Sequence, residues 1–222
     1  MIRRTLHRRL RQTLAGCLWA WASAVSAASL TVYVAGADGQ PVSNAVVQVM
    51  APGVAPRASA EPVVIVQKDI RFVPQVTAIP VGTTVRFTNQ DPFDHHLRSQ
   101  APGPLGSGAP AKDFEFRMPG ARPDKVVTTD VRFDQAGLVV LGCHLHSSMR
   151  GHVFVSESPL LGVTDAAGQV VIKDVPNGRI EVRSWHAEQL LDQQPVVLQI
   201  GGAANLTMTL NFTPPKPRRR GL

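Results

Sequence analysis

The sequence predicts an all-β protein. Three observations carry that expectation. Val-rich runs recur along the chain, Gly and Pro are abundant at 18 each, and aromatic residues make up only 5%. Together they favour many short strands joined by turns. The 222 residues suffice for one large domain or two small ones. No tandem repeat is evident, and no apolar run is long enough for a membrane span in the mature chain.

Residues 1–27 are read as an export signal and set aside from the fold. "MIRRTLHRRLRQ" is a basic opening, "TLAGCLWAWASAV" an apolar stretch, and "VSA" ending at Ala27 a small-residue cleavage site. The expected location is therefore periplasmic or secreted, with an uncleaved anchor as the alternative. Two arginine pairs leave a twin-arginine route open beside the general one. "LAGC" has the composition of a lipobox, but its apolar stretch follows it instead of preceding it. Cys17 is accordingly read as part of the apolar stretch.

Residues 28–52 give two strands. Leu30, Val32 and Val34 alternate, "GADGQPVSN" turns, and Ala45, Val46, Val47 and Val49 form the second. The Pro/Ala stretch "APGVAPRASAEP" ends this unit. A second unit, residues 62–156, has strands at Val63 to Val66, Val76 to Ile79 and Thr84 to Thr88. "DPFDHHLRS" reads as a loop, leading into a Gly/Pro-rich loop at 101–111. "DFEFRM" alternates, two strands flank "DQAG", and "GHVFVSE" closes the unit.

Residues 158–212 hold three short strands separated by "DAAG" and "PNG". "AEQLLDQQ" then reads as a helical turn, and "PVVLQIGGAANLTMTLNF" as a final hairpin. The tail, residues 213–222, is basic and expected to be disordered, with a weak contact to an acidic partner or lipid surface as its possible use.

"TDAAGQVVIKDVPNGRIEVRSW", taken with the earlier "VYVAGADGQPVSNAVVQV", resembles the carboxypeptidase-regulatory-like β-sandwich. In that family the two stretches lie close in sequence. Here about a hundred residues separate them, so the second unit is read as an insertion into one loop of such a sandwich. A separate N-terminal hairpin and C-terminal domain is the alternative.

Charge excludes little by itself. The net charge of +7 falls to about +2 once the five Arg of the leader are removed, and "KPRRR" holds four of the remaining bases. The folded part is near neutral, so nucleic acid is not the expected partner. Cysteine is more telling. Without Cys17 the chain keeps only Cys143, and an exported protein with one thiol needs a use for it.

"VVLGCHLHSSMRGHV" offers that use. Cys143, His146 and Met149 recur at intervals of three between two strands, so one tight loop can wrap them around a single ion. One further imidazole would complete two His, one Cys and a weak Met, a set suited to copper. "TNQDPFDHH", about fifty residues upstream, supplies it. A structural zinc site would want four strong ligands. A Cys/His hydrolase would need an oriented base and an open thiolate, which no surrounding motif supports.

At residues 62–156 the sequence resembles the cupredoxins, amicyanin and plastocyanin in particular. "CHLHSSMRGHVFV" is similar to the amicyanin ligand loop, and "VPQVTAIPVGTTVRFTNQDPFDHH" to the strand pair and first-ligand loop of both. The resemblance implies a Greek-key sandwich, one type 1 copper ion, and His95, Cys143, His146 and Met149 as its ligands. It implies an electron carrier working between redox proteins, not an enzyme. A copper scavenger or chaperone, or a docking module of a larger redox complex, is the alternative.

The pattern departs at three places. His96 stands where Asn is usual, Leu145 where Pro is frequent, and His144 has no counterpart. Adjacent side chains in extended structure diverge, so His95 and His96 cannot both easily face one ion, nor can Cys143 and His144. His96 and His144 are kept as the lesser candidates for ligands or supporting residues, and His152 as a solvated or supporting residue. Met118 is a poor rival to Met149.

Overall fold

The structure is a computed structural model that describes residues 27–102 and 110–214. The leader up to residue 26, the tail from 215 and part of the Gly/Pro-rich loop lie outside the described residues. The fold is all-β. In chain order the strands are β1 (Ala27–Ala35), β2 (Val46–Met50), β3 (Val63–Lys68), β4 (Arg71–Val73), β5 (Val76–Pro80), β6 (Thr83–Asn89), β7 (His95–Gln100) and β8 (Glu115–Met118). Then follow β9 (Val127–Phe133), β10 (Gly137–Cys143), β11 (Arg150–Ser156), β12 (Leu161–Val163), β13 (Gln169–Pro176), β14 (Gly178–Trp185), β15 (Val196–Ile200) and β16 (Ala204–Thr209).

These strands form two sandwiches. Sheets β13-β1-β16 and β12-β2-β14-β15 make the first, and sheets β5-β11-β10-β7-β8 and β4-β3-β6-β9 the second. Strand alternation explains each core. Leu30, Val32 and Val34 of β1 face Val47, Val49, Ile180 and Val182, while Val85 and Phe87 of β6 share a separate cluster with Leu97, Val139, Leu141 and Val153. β1 and β2 therefore pack with β12–β16, and β3–β11 bury a core of their own.

Hydrogen bonds tie the distant chain segments. Thr164 Oγ1 accepts from the Ala45 N–H at 2.9 Å and donates to the Val42 carbonyl at 2.7 Å. The "TDAAG" turn docks on β1, with the Val34 N–H donating to the Gly168 carbonyl at 2.8 Å. Gly168 has φ +71°, and a Cβ there would stand 2.6 Å from the Val34 oxygen, so only glycine fits. The sandwiches meet where Ser156 Oγ donates to Gln48 Oε1 at 2.8 Å and where Trp185 packs against the rings of His152 and Phe154.

Three local expectations change. The last two strands are not a hairpin: β15 pairs with β14, whereas β16 crosses to the other sheet and runs parallel to β1. The crossing lets Ile200, Met208 and Leu210 enter one core. The segment at 187–194 holds a turn at 187–188 and a bend at 190–191, with the Gln189 N–H bonded to the His186 carbonyl at 3.0 Å, and no helix. The stretch read as a loop at 91–99 becomes strand from His95 onward. Its polar residues hide the alternation, but His95 and Leu97 point inward and His96 and Arg98 lie on the other row.

Candidate metal centre

Three strands bring the donors together. β10 lies between β11 and β7, and Cys143 at its end pairs with Leu97 of β7. His95 opens β7 two residues earlier on the same face. The turn after β10 brings His146 back, and the Met149 N–H donates to the His146 carbonyl at 2.9 Å. Sγ of Cys143 is 3.8 Å from Nδ1 of His95 and 3.6 Å from Nδ1 of His146. Donor atoms of these three residues all lie within 4.8 Å of one another, and Met149 is buried in the same apolar cluster as Cys143.

These separations fit a small cation. Bonds of about 2.3 Å to sulfur and about 2.05 Å to nitrogen set an S···N edge of about 3.6 Å at tetrahedral angles and about 3.8 Å at trigonal ones. Two imidazoles and one thiolate near trigonal, with a thioether as a weak fourth, are the donor set that selects copper. Cys143 is a buried free thiol, and His95 is fully buried. Packing thus holds the donors before any ion arrives.

Asp91 sets the direction of His95. Its Oδ2 is 2.9 Å from Nε2 of His95, so Nε2 carries the proton and the Nδ1 lone pair faces sulfur. Asp91 also accepts from the Asp69 N–H at 2.7 Å and the Ile70 N–H at 3.1 Å. Asn89 braces the loop from below, donating to the carbonyls of Phe93 and Pro119 at 2.9 and 2.8 Å. Burial lowers the pKa of His95 and outweighs the opposing pull of Asp91, which keeps the ring neutral as a ligand must be. Burial raises the Asp91 carboxyl, but its bonds to His95, Ile70 and Asp69 together hold it below the ordinary range.

The other histidines part company here. His96 turns its ring away, with Nε2 2.9 Å from Glu115 Oε1, yet its backbone N–H donates to Sγ of Cys143 at 3.4 Å. A backbone donor needs no particular side chain, so the His at this position leaves that bond intact. Nε2 of His144 lies 3.4 Å from the same Glu115 oxygen. His152 packs at a tilt against Trp185 with Nδ1 buried and unpartnered. Met118 is fully buried and stands opposite His95 in the β7–β8 ladder.

Sequence reasoning missed Asn89, Asp91 and Glu115. A signal for one of them existed. Asp91 stands four residues before His95 in a turn-forming stretch, where a carboxylate can reach back to an imidazole.

No protein-family model and no curated protein sequence matches the chain. Among solved structures it is similar to the copper-containing nitrite reductase of Thermus scotoductus, at 25% identity over 46% of this chain with a TM-score of 0.36. The chain spans only a quarter of that enzyme's length, at 25%. It is similar to a reduced amicyanin variant at 20% identity, over 49% of this chain and 99% of amicyanin, with a TM-score of 0.33. It is also similar to a purple cupredoxin of Nitrosopumilus maritimus at 23% identity, over 42% of this chain and 99% of the other, with a TM-score of 0.34. These structural neighbours are cupredoxins at low identity, and each likeness covers about half of the chain.

Proposed function

We propose that this protein is exported and carries single electrons on one copper ion held by His95, Cys143, His146 and Met149. The observation that carries the reading is the convergence of two Nδ1 atoms on one buried sulfur, at 3.8 and 3.6 Å. Copper in such a site takes up and returns one electron while keeping its ligands.

The chain's own residues fit that task. Asp91 fixes the tautomer and angle of His95. The His96 N–H bonds to sulfur, and the β7–β10 ladder prevents the donors from drifting apart. Cys143 is only 5% exposed, which suits a ligand and not a nucleophile open to substrate. His146 is half-buried and touches the ring of Phe93, and both Phe93 and the neighbouring residue Leu145 are exposed apolar side chains. An electron passing to a partner protein would leave over these side chains.

The test is direct. Copper(II) added to the protein should give an intense visible band from thiolate-to-copper charge transfer, absent in Cys143→Ser. Voltammetry should show a reversible one-electron wave. A colourless copper(II) form would overturn the ligand assignment. Rapid transfer of copper to a competing apo-protein without a reversible wave would favour copper handling over electron transport.

A further inference from the structure

We propose that His96, His144 and Glu115 form a second cation site on the outer face of the same ladder, selective for a divalent transition metal such as Zn²⁺. The placement follows from strand alternation. β10 and β7 pair so that Cys143 stands opposite Leu97, and His95 shares the inward row. The residues one step along, His144 and His96, take the outward row. The His144 N–H donates to the His96 carbonyl at 2.9 Å, which sets the two residues side by side with ring centroids 5.0 Å apart. β8 completes the group. Arg98 is the direct partner of Glu115, so Glu115 reaches His96 along the diagonal.

The geometry suits a metal. Nε2 of His96 is 2.9 Å and Nε2 of His144 is 3.4 Å from one oxygen, Oε1 of Glu115. Ligands at about 2.1 Å are separated by about 3.0 Å at octahedral angles and about 3.4 Å at tetrahedral ones. Unlike the donors of His95, Cys143 and His146, these three do not all lie within 4.8 Å of one another, so the two exposed rings must swing toward each other to close on a cation. Two neutral imidazoles and a carboxylate carry a net charge of −1, and imidazole with carboxylate is a donor set for zinc and its neighbours. The side chains are 32%, 40% and 53% exposed, so an ion can enter from solvent and keep water on its open positions. Among nearby cations, Arg117 is held by Asp94 at 2.9 Å and is not free to occupy the site. Arg98 flanks Glu115 in the ladder and tempers the affinity.

On the function proposed above, the second site also acts on the first. His144 and His96 each follow a copper ligand in the chain. A positive charge held there lies one strand thickness from the thiolate and favours the reduced form of the copper centre.

The experiment uses the full chain with Cys143→Ser, so that no copper chemistry is required. Titration with Zn²⁺ should show one ion bound, with shifts of the imidazole resonances of His96 and His144 and none of His152. Each of His96→Ala, His144→Ala and Glu115→Gln should weaken binding at least tenfold. No binding, or binding lost through His95→Ala but untouched by these three, overturns the second site. In the copper-loaded parent, Zn²⁺ should raise the reduction potential, and Glu115→Gln should cancel the rise. If the Zn²⁺ site behaves as stated while no coloured centre forms, the second site stands and the electron-carrier reading falls.

Discussion

The backbone N–H of His96 donates to Sγ of Cys143 at 3.4 Å while the His96 side chain faces the opposite side of the sheet. The residue therefore takes part in the centre through its backbone alone. His96→Ala should keep the visible band of the copper(II) form. His95→Ala should lose it, because the buried Nδ1 has no substitute within reach. Absorption spectra of the two variants decide the matter.

Asp91 gathers three donors, from His95, Asp69 and Ile70. Asp69 and Ile70 have φ of 53° and 59°, a conformation that L-residues rarely hold without support. Asp91→Ala leaves the buried ring of His95 and the part-buried N–H groups of Asp69 and Ile70 without this acceptor. Copper-free protein should lose about 2–4 kcal/mol in denaturant unfolding. Copper affinity should fall by about 10–100-fold, as expected for a residue that orients a ligand.

Much of this centre was legible in the sequence. Cys143, His146 and Met149 stand out because one short loop holds them all. The first-ligand loop was harder. "HHLRSQ" carries one aliphatic residue, so neither its strand nor the inward turn of His95 shows as hydrophobic alternation. Strand β4 escaped for a related reason: it is three residues long, and the turn before it uses Asp69 and Ile70 at positive φ without a glycine to mark it. The hairpin expected around "GGAAN" failed because a turn motif does not reveal which sheet the next strand joins. That choice was made by β1, whose free edge lies far away in the chain.

His152 should make stability depend on pH. Burial, then the nearby His186 and Arg150, lower its pKa from 6.5 to about 4. The unfolded chain then takes up a proton that the folded one refuses. The contribution is fully present above about pH 6.5 and is lost as pH falls toward 4, reaching up to about 3 kcal/mol. His152→Gln should flatten the slope of unfolding free energy between pH 7 and about 4, measured with the parent as reference.

Thr164 links residues 119 and 122 positions away, through Ala45 and Val42. Thr164→Val keeps the shape and removes both bonds. The first sandwich should lose about 2 kcal/mol by thermal or denaturant unfolding. The copper band should be unchanged, since the substitution lies in the other core.

Among the described residues, the nine strands β3–β11 pair only with one another, while β1 and β2 find all their ladder partners in β12–β16. This sets an order of assembly. The strands made first must wait until the chain is nearly finished, with open edges that invite wrong pairing. The intervening sandwich can close meanwhile, and its folding brings the ends of a long loop together. Most of the closure entropy for the outer sandwich is then already spent. An ion bound at the proposed centre would stabilise this intervening sandwich, which holds all four of the proposed donors. A loss of the last strands would therefore leave β1 and β2 with unpaired edges while the site-bearing sandwich stays whole.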